Sequence, residues 1–231
     1  ERMRPLTDDL PKPLVPVAGV PMLETILDEA DRAGVTHVII NTHHQAQKIN
    51  AYVAARLARG VGPDIVLSHE EDILETGGGM AHAAPLIDRE VFFAINGDSL
   101  LLDDPADLPL LTRLAMAFDP ARMDMMIALY PLEAPSLTPL VGDYVIAPDG
   151  RLTRAVGEKK GTHMFTGSRI LHRRVLNGAP QGAFSFLKFM DRAQQAGRLY
   201  GLVHKGPWHH LTTPQDVEKV SAFLRAQARA A

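Results

Sequence analysis

"MLETILDEADRAGVTHVII" (22–40) carries two periodicities back to back. Apolar residues spaced for one face of a helix run through 22–34 and stop at Gly34, and the β-branched run 35–40 reads as a buried strand. The same order repeats outward along the chain. A helix over 45–60, again closed by glycine, precedes the strand "DIVLS" (64–68), and a helix over 79–87 precedes the strand "VFFAIN" (91–96). A helix over 108–118 and an apolar strand over 124–130 follow. This alternation predicts an α/β fold: a Rossmann-like mixed, mostly parallel sheet flanked by helices.

Beyond residue 130 the pattern changes. "DYVIAPDGRLTRAV" (143–156) reads as a β-hairpin turning at Pro148-Asp149-Gly150, followed by a strand over 163–171, a helix over 184–197 and a strand over 199–204. A closing helix over 213–230 has Thr213 as its N-cap and Pro214 in the first helical position. Neither an internal repeat nor a linker interrupts the chain. The expectation is a single domain, 1–231, with a small β-rich insertion in its second half.

Composition removes several classes of function. The net charge is −3 from 24 basic and 27 acidic residues, with no basic run, which argues against a nucleic-acid partner or a polybasic membrane patch. The absence of cysteine excludes disulfides and thiolate metal sites and fits a reducing compartment. No apolar run approaches the roughly 18–20 residues of a membrane span, so a cytoplasmic location is expected.

Three segments could carry chemistry. In "DDLPKPLVPVAGVP" (8–21) four prolines alternate with apolar residues around Lys12. Proline fixes φ and pushes its predecessor towards extended geometry, so the segment reads as a stiff, extended arm holding out a cation. "ETGGG" (75–79) reads as a glycine-rich approach to a helix N-terminus, suited to a ligand or, equally, to a plain turn. "NGDS" (96–99) leaves a buried strand, where an aspartate can place oxygen on magnesium or simply make a turn. P-loop, G-x-G-x-x-G and H-E-x-x-H motifs are absent. The pairs His43-His44 and His209-His210 lack metal-site spacing and read as surface or core histidines.

Together these segments resemble the sugar-1-phosphate nucleotidyltransferases. "ERMRPLTDDLPKPLVPVAGVPML" (1–23) matches the second half of that family's signature, and "ETGGG" and "FFAINGD" match its later motifs. "FTGSRILH" (165–172) and "GAFSFLKFMDRAQQAGRLYG" (182–201) are most similar to the branch containing N-acetylmuramate-1-phosphate uridylyltransferase. The resemblance implies a nucleotide-binding half over about 1–130, a sugar-binding half over about 131–231, and an enzyme that joins a nucleoside triphosphate to a sugar 1-phosphate with release of pyrophosphate. It implies that Arg2 grips the triphosphate and Lys12 reaches the phosphates near the α-phosphorus. Glu75, Thr76, Gly77 and Gly78 would surround the nucleotide; Asn96, Glu158, Lys159, Thr166 and Gly167 would lie near the sugar. Asp98 would hold magnesium.

Departures from the family pattern matter too. In the family's last motif, usually Trp-x-Asp-x-Gly-Thr, His210 of "WHHLTT" stands in place of a second magnesium-binding aspartate. Imidazole is a poorer partner for magnesium and a better one for manganese. The expected cofactor is Mg2+, held mainly by Asp98 and the triphosphate, with Mn2+ as the alternative. The family's first strand and glycine loop precede the matched segment, which implies about 10–20 further residues upstream. UTP and N-acetylmuramate 1-phosphate are the expected substrates, for a monomer or weak homodimer. A mannose-1-phosphate guanylyltransferase and a catalytically weak nucleotide- or sugar-binding regulatory module are the competing readings.

Overall fold

The computed structural model describes residues 2–230. A 3-10 turn at Lys12–Leu14 leads into the short antiparallel strands β1 (Pro16–Val17) and β2 (Val20–Pro21). Alternation follows: α1 (Met22–Arg32), β3 (His37–Thr42), α2 (Ala46–Ala58), β4 (Asp64–His69), α3 (Glu75–Ala83), β5 (Val91–Ile95), β6 (Ser99–Leu101), α4 (Leu110–Ala117) and β7 (Met125–Pro131). The second half holds β8 (Tyr144–Ile146), β9 (Leu152–Arg154), β10 (His163–His172), α5 (Leu187–Gln195), β11 (Leu199–Val203), β12 (Trp208–His210) and α6 (Pro214–Ala230).

The main sheet runs β11-β7-β10-β8-β9, with β5 also paired to β10. It is mixed, as the alternation predicts, but its parallel part is smaller than expected. β7 pairs in parallel with β11, whereas β10 is antiparallel to β5, β7 and β8. The reason is that β10 returns from the β8–β9 hairpin and runs against the strands it separates. β3 and β4 form a separate parallel pair.

β7 shows why the sheet holds. Residues 125–130 are all buried and alternate between two cores. Met125, Ile127 and Leu129 join Leu171, Phe189 and Met190 beside α5; Met126, Ala128 and Tyr130 join Leu110, Leu114 and Trp208 beside α4. A strand covered on both faces reads as a continuous apolar run, which is how "DMMIALY" reads.

Several element boundaries move. Lys12 sits in a 3-10 turn rather than in fully extended chain, because the Leu14 and Val15 amides fold back onto the Pro11 and Lys12 carbonyls at 2.8 and 3.1 Å. The helix expected at 79–87 starts at Glu75, so the three glycines lie inside α3. The helix expected from 184 starts at Leu187, since the preceding residues bond to α3 instead. β6 and β12, three residues each, were not expected. The hairpin and the α6 start stand as predicted: the Thr213 hydroxyl accepts from the Asp216 amide at 3.2 Å, and Asp216 Oδ2 accepts from the Thr213 amide at 2.8 Å. No described helix is long and apolar enough to cross a membrane.

Candidate active site

Asp98 lies in the tight connection from β5 to β6. β6 pairs antiparallel with β12, setting Ser99 opposite His210, and the Leu211 amide donates to the Asp98 carbonyl at 3.0 Å. This pairing brings His210 Nε2 to 3.4 Å from Asp98 Oδ2. Lys12 also reaches it, its Nζ 3.0 Å from the same oxygen. The proline arm sets that approach, with Pro13 packed so closely over Gly97 that a Cβ there would meet Pro13 Cγ at 3.3 Å.

His210 is itself held. Its ring stacks on Trp208 (centroids 5.9 Å apart, planes 21° apart), and its amide donates to Thr138 Oγ1 at 3.1 Å. Trp208 Nε1 donates to the Thr166 carbonyl at 3.1 Å. Alternation along β12 separates the paired histidines. His210 faces Asp98, while His209 is buried edge-on against Phe223 and burial pulls its pKa down, the ordinary core histidine.

Burial by itself would raise the Asp98 carboxyl. The hydrogen bond from His210 and the charge of Lys12 outweigh it and hold the pKa at about 2, so Asp98 is a carboxylate throughout the neutral range. Its Oδ1 is buried and has no hydrogen-bond partner among the described residues. A buried carboxylate oxygen left open beside two donors on its twin is suited to a cation.

Beside this cluster lies a cleft of about 490 Å³, lined among others by Arg2, Arg4, Thr7, Lys12, His44 and Thr212. Three permanent cations line it and, among the described residues, no carboxylate does. Such a surface suits a compact polyanion.

A second group of predicted residues gathers around β10. Its register shifts between Phe165 and Arg169, and at this bulge Gly167 adopts φ +93°. A Cβ at Gly167 would come within 3.0 Å of Asn96 Cβ, so glycine is required twice over. The Asn96 amide donates to the Gly167 carbonyl at 3.0 Å. Thr166, by contrast, is buried with its hydroxyl on the Ala128 carbonyl at 3.1 Å, a packing role.

The glycines of "ETGGG" are also structural. The amides of Gly77 and Gly78 both donate to the Phe184 carbonyl, at 2.9 and 3.1 Å, and Thr76 Oγ1 accepts from the Phe186 amide at 3.1 Å. The Gly77 and Gly78 amides are therefore engaged by the protein itself. Glu75 is exposed at the helix start in the left-handed region, φ +56°. Glu158 and Lys159 are exposed on the loop between β9 and β10, with no ion pair to Lys12, Asp98 or His210. Arg169 and Thr138 are site neighbours that sequence reasoning missed, and His44, read as a surface or core histidine, lines the cleft with Thr212. Arg169, a charge inside an apolar strand, was the one with a signal.

The sequence matches the nucleotidyl transferase family model over residues 1–136. N-acetylmuramate alpha-1-phosphate uridylyltransferase of Caulobacter vibrioides is 34% identical over 231 residues, covering 100% of this chain and 92% of that protein. The protein of the same name from Neisseria meningitidis is 32% identical, covering 100% of this chain and 94% of its own length. A mannose-1-phosphate guanylyltransferase of Mycobacterium tuberculosis is 29% identical over 96% of this chain and 61% of its own length. Among solved structures, HddC from Yersinia pseudotuberculosis superposes with a TM-score of 0.77 at 22% identity, over 96% of this chain and 94% of HddC. An apo UDP-glucose pyrophosphorylase gives 0.79 at 14% identity, over 98% of this chain and 94% of its own.

Proposed function

The chain belongs to the nucleotidyl transferase family, and from that premise we propose that it transfers the uridylyl group of UTP to N-acetylmuramate 1-phosphate, releasing pyrophosphate. One observation supports a phosphate-handling site most directly: the cleft beside Asp98 is lined by Arg2, Arg4 and Lys12 with no described carboxylate. A phosphate oxygen of the sugar 1-phosphate attacks the α-phosphorus, a new P–O bond forms, and the bond to the β-phosphate bridging oxygen breaks to release pyrophosphate. Both substrates are anions, so the protein's part is to hold them in line and offset their charge. Lys12 does this from the arm and Arg2 from the turns that precede it.

A divalent cation fits the donor set, because Asp98 keeps one buried oxygen unpartnered. Asp98 would hold it with the triphosphate, and His210 stands beside it as the nitrogen donor that favours manganese. When bound, the ion supplies neutralisation of phosphate charge.

The full-length relatives of the same size favour the uridylyl reading; the M. tuberculosis relative supports the guanylyl alternative. The test is pyrophosphate release with UTP, GTP, CTP and dTTP against N-acetylmuramate, N-acetylglucosamine, glucose and mannose 1-phosphates, in Mg2+ and in Mn2+. Turnover confined to UTP with N-acetylmuramate 1-phosphate is expected. A preference for GTP with mannose 1-phosphate would replace it with the alternative.

A further inference from the structure

Arg169 interrupts the apolar run of β10 and is 4% exposed. Its guanidinium is held by rings and neutral oxygens rather than by a carboxylate. Cζ lies 4.0 Å from the centre of the Phe186 ring and 5.6 Å from that of Phe165. Nη1 donates to Asn96 Oδ1 at 3.2 Å and to the Gly167 carbonyl at 3.4 Å, and Nε is buried without a partner. Burial lowers its pKa to about 10, which still leaves it cationic at neutral pH. An uncompensated buried charge is expensive, and an apolar side chain would serve this core better. Something about Asn96 makes the arrangement worth keeping.

The chemistry of the guanidinium says what. It can only donate, so whatever faces it must accept. Of the two ends of the Asn96 amide only Oδ1 qualifies; turning the amide over would set donor against donor. Gly167 closes the unit, since its carbonyl takes both Arg169 Nη1 and the backbone N–H of Asn96. Asn96 is half-buried, two residues before Asp98, and its Nδ2 makes no hydrogen bond among the described residues.

We propose that Arg169 is a positioning residue for the acceptor: by holding Asn96 Oδ1 it leaves the Nδ2 donor to meet an oxygen acceptor on the sugar 1-phosphate. The proposal rests on the reading of the site as one that binds a sugar 1-phosphate. Asn96 is the contacting group and Arg169 acts through it.

Asn96→Asp separates this from a purely structural role, because the two predict different combinations. A carboxylate there pairs with Arg169, so the melting temperature should rise. The same change removes the Nδ2 donor and brings a negative charge to a phosphorylated substrate. The KM for the sugar 1-phosphate should then rise roughly tenfold or more, with KM for the nucleotide within about twofold. Arg169→Lys, which keeps the charge and a donor, should retain more sugar affinity than Arg169→Met. Kinetics are run with whichever pair the wild-type protein turns over. A melting temperature that falls in Asn96→Asp overturns the clamp; an unchanged sugar KM, or equal changes in both KM values, overturns the presentation of Nδ2. If the wild-type protein turns over no sugar 1-phosphate, the functional reading fails, and the melting comparison decides the clamp by itself.

Discussion

Lys12 Nζ and Asp98 Oδ2 stand 3.0 Å apart although 86 residues separate them. Their side chains are 30% and 32% exposed, and ion pairs as open as this contribute only about 0–1 kcal/mol to stability. Lys12→Met should therefore leave the melting temperature within a few degrees, while turnover falls roughly 100-fold or more as a phosphate-facing cation is lost. Pyrophosphate release and a thermal melt on the same sample check both. Turnover within a few-fold of wild type would take Lys12 out of the chemistry.

On the proposed metal-assisted reading, Asp98, with its Oδ1 unpartnered, would be the principal protein partner of the cation and His210 a supporting one. Asp98→Asn should lower turnover by roughly 10²–10³, and His210→Asn by roughly tenfold, the effect of a supporting group. Titrating Mg2+ and Mn2+ against activity measures this. Equal losses would give the two residues equal shares.

Gly77→Ala inverts the usual sign of a helical substitution. Alanine normally stabilises a helix interior by about 0.5–1 kcal/mol over glycine. At Gly77 the new Cβ would meet the Phe184 ring at 2.6 Å and its carbonyl oxygen at 2.7 Å, where neither backbone nor ring can yield cheaply. A loss on the order of 1–3 kcal/mol is expected, read as a shift in the urea midpoint. A neutral or stabilising result would mean that the 184–186 segment is not anchored on α3.

Glu29 governs how stability changes between acid and neutral pH. It is 4% exposed, and burial, with a further push from Asp103, raises its carboxyl from 4.5 to about 7 against the opposing charge of Arg32. Between those values the unfolded chain releases its proton first. Stability attributable to Glu29 is thus intact below about pH 4.5 and declines as pH rises towards 7, by on the order of 3 kcal/mol. Asp98 acts in a different window, its contribution present above 3.8 and lost towards 2. Urea denaturation at pH 5, 6, 7 and 8 should show the decline in the wild type and a flatter profile in Glu29→Gln. Parallel profiles would exclude Glu29 as its source.

How much of the site was legible depended on the range of the interactions behind each residue. "DDLPKPLV" marked Lys12 because proline restricts the chain locally, and "FFAINGD" marked Asp98 because an acid at the end of an apolar run is a local anomaly. Residue patterns did not bring Lys12, Asp98 and His210 together and only the family resemblance did, since β6 and β12 are three residues long and pair over a separation of more than a hundred. Strands that short carry no alternation of their own. The role of "ETGGG" stayed open for the same reason: glycines that admit a ligand and glycines that admit the Phe184 carbonyl look alike until the partner backbone is in place.

By itself the sequence determined the periodicities, and with them the α/β class, the two-faced burial of β7, the hairpin after residue 142 and the capped start of α6. Each is decided within a few residues by backbone sterics and by which side chains avoid water. The tertiary structure alone decided that β10 runs against its neighbours, that His209 faces the core while His210 faces Asp98, and that Arg169 is buried against Asn96. Those outcomes follow from strand register and from a buried donor needing an acceptor, and both depend on residues that are distant in sequence until the chain folds.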